Sequence, residues 1–142
     1  MKKIFLIMIL LYAGVSFSQE ESADLNGKIF RGTAVELTPP DVDRKPLIYN
    51  ETISFEDGKL KCETFRKYGA ADSYYSSKVD GRRAVAMQVI NFSSQSSGSI
   101  DNLSAGIDFN GNIFGGTKLN GMFTIRFSDG NEIKFIVEAA GD

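Results

Sequence analysis

The sequence predicts an all-β protein, an antiparallel up-and-down β-barrel of eight to nine strands preceded by a signal peptide. Three observations carry this expectation. Five Asp-Gly or Asn-Gly pairs, Asp57-Gly58, Asp80-Gly81, Asn110-Gly111, Asn120-Gly121 and Asp129-Gly130, punctuate the chain at hairpin spacing, and these residue types tolerate the positive φ of a primed turn. No stretch after Gln19 sustains a 3.6-residue apolar period between a cap and a stop. Most connections are hairpin-short, and consecutive antiparallel strands leave two open edges unless the sheet curls shut.

The chain starts with a basic Met1-Lys2-Lys3, runs through apolar and small residues from Ile4 to Val15, and places Ser16 and Ser18 at the −3 and −1 positions before Gln19. This pattern predicts a signal peptide over residues 1–18 and one barrel domain over residues 19–142. The apolar run is too short for a membrane-spanning helix, which needs roughly 20 residues, and Gln19, Glu20 and Glu21 follow at once. The expectation is a bacterial protein exported to the periplasm or beyond, without stable membrane insertion. Taking the two leader lysines from the 16 basic residues leaves 14 against 18 acidic ones, a net charge of −4. That balance gives no reason to expect nucleic acid as a partner.

Histidine is absent, which excludes Ser-His-Asp and Cys-His nucleophile systems and His-containing zinc sites. Cys62 has no partner for a disulfide, so it reads as a small buried hydrophobe and the core must carry stability. No catalytic residue, metal or cofactor is identified, and an enzyme is not expected.

Strands are expected near 27–36, 51–56, 59–66, 73–79, 83–92, 99–109, 112–119, 122–128 and 132–138. A two-residue turn at Asp57-Gly58 sets Phe55 opposite Leu60 and Ile53 opposite Cys62 on one face, with Glu56 opposite Lys59 and Ser54 opposite Lys61 on the other. A three-residue loop, Asp129-Gly130-Asn131, opposes Phe127 to Ile133 and Ile125 to Phe135. Two-residue turns at Asn120-Gly121 and Asn110-Gly111 then give inner rows Ile107-Phe114-Phe127-Ile133 and Ala105-Gly116-Ile125-Phe135. Gly115-Gly116 inside a strand marks a bend or a close approach. Leu37 to Asn50 holds Pro39, Pro40 and Pro46 and reads as a long connection, whereas Ser93 to Ser99 reads as a mobile linker between two strands.

The opening strand Leu25-Asn26-Gly27-Lys28-Ile29-Phe30, the long first loop, the hairpin Ile53-Ser54-Phe55-Glu56-Asp57-Gly58-Lys59-Leu60 and the closing meander through Phe127-Ser128-Asp129-Gly130 resemble the calycin-type, lipocalin-like small secreted β-barrels. Eight-stranded barrels either fill with their own side chains or hold one small ligand. The expected ligand site for a small hydrophobic molecule is the small patch at Ala105 and Gly116 with Tyr75, Met87, Ile125 and Phe135 around it. The alternative is an envelope or extracellular interaction module. Its nine mature-chain phenylalanines pack the core, and loop tyrosines Tyr49, Tyr68 and Tyr74 meet a protein or glycan. In either case the chain reads as a monomer. Asp41-Val42-Asp43, Arg66-Lys67, Lys78 and Arg82-Arg83 read as solvated charges, and the triplets at Asn50, Asn91 and Asn102 that match a glycosylation acceptor read as chance.

Overall fold

The structure, a computed structural model, describes residues 22–37, 43–80 and 87–142. Eight strands, β1 (Ile29–Glu36), β2 (Ile48–Glu56), β3 (Lys59–Cys62), β4 (Ser73–Val79), β5 (Val89–Ile100), β6 (Leu103–Phe114), β7 (Lys118–Phe127) and β8 (Glu132–Gly141), pair in sequence order. β1 also pairs with β8, from Phe30 opposite Gly141 to Glu36 opposite Phe135. The sheet is therefore a closed antiparallel up-and-down barrel, the fold class the sequence predicts. Closure at this seam needs Gly32, because a Cβ there would sit 1.9 Å from the Glu138 carbonyl oxygen. The predicted leader, Pro39, Pro40, Asp41, Val42, Gly81, Arg82-Arg83 and the start of the strand expected near 83–92 lie outside the described residues.

The hairpin at Asp57-Gly58 forms as its sequence dictates. Both residues have positive φ, 52° and 73°, and the four expected pairs from Ile53–Cys62 to Glu56–Lys59 are in register. β3 ends at Cys62, however, four residues earlier than its β-rich sequence suggests. The chain there turns into a short helix, α1 (Glu63–Lys67), because the buried Glu51 carboxylate accepts the backbone N–H groups of Glu63 (2.7 Å) and Thr64 (3.1 Å).

The second half of the chain corrects the predicted turns. Asn110-Gly111 and Asn120-Gly121 lie in the middle of β6 and β7, with Gly111 facing Gly121. The reversals fall instead at Asp101-Asn102, with φ 48° and 65°, and at the segment 115–117, where Gly115 and Gly116 have φ 56° and 74°. The serine-rich segment expected to be a linker is the second half of β5, paired with β6 up to Ile100 opposite Leu103. It is a strand because the connection after α1 crosses it closely. A Cβ on Gly98 would lie 2.4 Å from the carbonyl carbon of Gly69, and Ser96 Oγ donates to the Ala71 carbonyl at 2.5 Å. Four expected strands thus become three longer ones, and the described residues form eight. In place of the expected rows the observed register aligns Phe109, Phe123 and Phe135 in one row and leaves Lys118 exposed. At the last hairpin Ile125, not Phe127, faces Ile133. The loop is Ser128-Asp129-Gly130, closed by Gly130 N–H donating to the Phe127 carbonyl at 3.0 Å with φ 90° at Gly130. This register is two residues away from the expected one, so every side chain keeps its face.

The interior is aromatic. Phe109 stacks on Phe123 at 3.9 Å between centroids, Phe92 meets Phe109 edge-on at 5.1 Å, Phe55 meets Phe92 at 5.5 Å, and Phe65 of α1 reaches Phe123 at 6.2 Å. Phe30, Phe55, Phe65, Phe109, Phe123 and Phe135 are all completely buried. Such offset and edge-to-face pairs add about 0.5–1.5 kcal/mol each beyond area burial.

Candidate functional site

Three regions bear on function: the barrel interior, the mouth covered by α1, and the outer face of β4–β8. In the interior, Ala105, Ile125 and Phe135 are buried on the inner wall of β6, β7 and β8, as their parity implies. Tyr75 is half-buried and packs edge-on against Phe55 at 4.9 Å. Gly116 instead sits in the β6–β7 turn, beside a cleft of about 230 Å³ that it shares with Lys28 and Asp142. Met87 is 52% exposed, outside the barrel. The structure therefore brings three of the six residues expected around a ligand to one wall and leaves Gly116 and Met87 away from it. Between the walls stand the stacked rings.

The mouth near α1 is tied down by polar contacts. Glu51 is an inward-pointing residue of β2, and besides the two backbone donors its carboxylate accepts Thr64 Oγ1 at 2.7 Å. Burial pushes the Glu51 carboxyl above its ordinary value, opposed by these three hydrogen bonds. The Tyr49 hydroxyl bonds Thr64 Oγ1 as well, and Lys67 Nζ lies 4.4 Å from the centre of the Tyr49 ring. Tyr68 packs on Phe127 and Phe135, and burial raises both phenols. Tyr49 and Tyr68 are thus part of a plug, and of the three loop tyrosines expected to meet a partner only Tyr74 is strongly exposed. Beside them Glu36, buried at the end of β1, accepts Arg44 Nη1 at 2.7 Å and Nη2 at 2.5 Å and the Leu47 N–H at 3.0 Å. The Arg44 guanidinium holds this carboxyl below its usual range and fastens the end of the first long loop to the barrel. Cys62 is buried under the same mouth, and burial raises its thiol well above its ordinary value. Among the described residues no group of three or more His, Cys, Asp or Glu side chains could hold a metal ion, and no helix is long and apolar enough to cross a membrane.

The outer face carries what the sequence reading missed. An open groove of about 980 Å³ runs across β4 to β8. Strand pairing resolves its floor into two cross-strand rows. One row runs Lys78, Asn91, Asn112, Asn120, Glu138 and the other Ser76, Ser93, Asn110, Met122, Ile136. Gly111 of β6 and Gly121 of β7 lie in the floor of the groove. A Cβ on Gly111 would lie 2.6 Å from the Phe92 ring inside the barrel, and one on Gly121 would lie 2.6 Å from the Phe109 ring. The Asn-Gly pairs therefore place glycine inward against aromatic rings and asparagine outward into the groove. Their signal was visible in the sequence, but it reads equally as a turn. The chain matches no family model, no curated protein and no solved structure.

Proposed function

We propose that this chain is an exported, non-enzymatic binding module of the calycin-like barrel type that holds its partner on the outer groove of β4–β8 and not inside the barrel. One observation carries the reading. The barrel axis is occupied by a run of packed phenylalanines from Phe55 through Phe92, Phe109 and Phe123 to Phe65, while the amides of Asn91, Asn110, Asn112 and Asn120 collect in the groove outside. A ligand of drug size needs roughly 300 Å³ or more, and six completely buried phenylalanines stand in the interior where it would lie. The basic start, short apolar run and small residues before Gln19 support export through a cleaved leader, to the periplasm or the cell exterior. The reading keeps the interaction-module alternative of the sequence and moves its contact surface from the loop tyrosines to the sheet.

Amide chemical-shift mapping of the isotope-labelled exported chain tests this. Titration with envelope and culture-fluid extracts of its host should shift resonances of Asn110, Asn112, Asn120 and Met122. Shifts concentrated instead at Ala105, Ile107, Ile125 and Phe135, on the inner wall, would restore the internal-ligand reading and overturn this one.

A further inference from the structure

We infer that the outer groove is a binding site for a neutral glycan, an inference that rests on the outer-face function proposed above and names its ligand class. Its starting point is a local choice that folding does not explain. Asparagine is depleted in strands, yet Asn91, Asn110, Asn112 and Asn120 occupy strand interiors next to one another. None of these four side chains hydrogen-bonds another described residue. Exposed strand positions of this kind favour Thr, Val or Tyr, so four amides pointing into one groove break a folding rule without a folding gain. Such violations mark functional positions.

The chemistry of the surface then selects the ligand. A primary amide offers a donor and an acceptor side by side in one plane, the arrangement that adjacent hydroxyls on a sugar ring can satisfy together. Neighbouring rows repeat about 4.8 Å apart across strands and about 7 Å along them, so a saccharide lying in the groove meets amide after amide. The Asn112 row ends in Lys78 on one side and Glu138 on the other, opposite charges that favour neither a polyanion nor a polycation. Met122 and Ile136, 39% and 42% exposed, continue the Asn110 row as a small apolar floor for the C–H face of a ring. Among the described residues the floor presents no exposed Trp, Tyr or Arg, the anchors that dominate protein interfaces, which disfavours a protein partner. The glycines complete the site, since Gly111 and Gly121 let β6 and β7 pass over the Phe92 and Phe109 rings without a Cβ clash.

The test uses the exported full barrel and its double variant Asn112→Thr, Asn120→Thr, titrated by chemical-shift mapping with oligosaccharides from laminarin, xylan, galactomannan and starch, with polygalacturonate and a pool of extended peptides as controls. A neutral saccharide should shift the groove residues, and the double variant should bind it about tenfold or more weakly while its denaturation midpoint stays level or rises. Retained affinity in that variant would overturn the inference, and so would the absence of any shift with all four neutral saccharides at millimolar concentration. Groove shifts with the peptide pool alone would remove the glycan and leave the outer-face function standing. Shifts confined to the barrel interior would remove both.

Discussion

Truncating Phe109 measures how tightly the barrel axis is packed. Its ring is completely buried, stacks on Phe123 at 3.9 Å, meets Phe92 at 5.1 Å and covers Gly121. Deleting a buried phenylalanine ring costs about 3–5 kcal/mol through lost transfer energy and the cavity left behind. Two ring pairs worth about 0.5–1.5 kcal/mol each go with it, which places Phe109→Ala toward the upper end of that range. Gly121→Ala attacks the same contact from the other side. Its Cβ would sit 2.6 Å from the Phe109 ring and 3.1 Å from the Asn110 carbonyl oxygen, and a buried ring held by two neighbours cannot yield, so overpacking should cost about 1–3 kcal/mol. Once Phe109 is alanine the ring clash disappears, and Gly121→Ala added to Phe109→Ala should cost clearly less than it does alone. Urea denaturation of the two single variants and the double variant closes this cycle. A Phe109→Ala cost below about 1.5 kcal/mol, or strict additivity of the pair, would refute the packed-axis reasoning.

Gly32→Ala should open the β1–β8 seam, because the new Cβ meets backbone at 1.9 Å from the Glu138 oxygen. Its denaturation midpoint should correspond to a loss at or above the roughly 3 kcal/mol end of overpacking costs. Glu51 should confer a pH dependence on stability. Its carboxyl is raised above the ordinary 4.5 when folded, so over the interval above that value the folded chain holds a proton the unfolded chain has released, and stability falls as pH rises through it. Glu51→Gln should flatten the unfolding free energy across that interval, and an unchanged slope would contradict the assignment. Cys62, buried with its thiol raised, should react with an aryl disulfide reagent only as fast as the barrel opens, whereas rapid labelling of the native chain would show an accessible thiol.

Much of the fold was legible because face and turn chemistry agree along most strands. Around Asp57-Gly58 the alternation Ile53, Phe55, Leu60, Cys62 against Ser54, Glu56, Lys59, Lys61 leaves one register that buries the apolar set, and the structure adopts it. At the last hairpin parity placed every residue on its correct face even though the register is two residues off. The failures have a common cause. Glycine after asparagine has two uses, a positive φ in a turn or the absence of a Cβ beneath a ring, and local sequence cannot tell them apart. Asn110-Gly111 and Asn120-Gly121 serve the second use, while Asp101-Asn102, a weaker turn signal, makes the reversal. The serines of β5 were misread in the same way, since they are small so that Gly69 and Ala71 can cross over the strand. Helix α1 depends on the Glu51 carboxylate more than ten residues earlier, a long-range contact that no local pattern announces. The candidate groove was illegible for the reason the turns were wrong, because its asparagines meet only when β6 and β7 run through their Asn-Gly pairs.

The proposed outer-face function requires that the barrel interior hold no ligand. Its most direct test is organic extraction and mass analysis of the chain expressed from its full sequence and purified under native conditions. The packed axis predicts no hydrophobic molecule near one equivalent per chain, in repeated preparations. A single apolar species recovered at close to one per chain, and lost on unfolding, would contradict it.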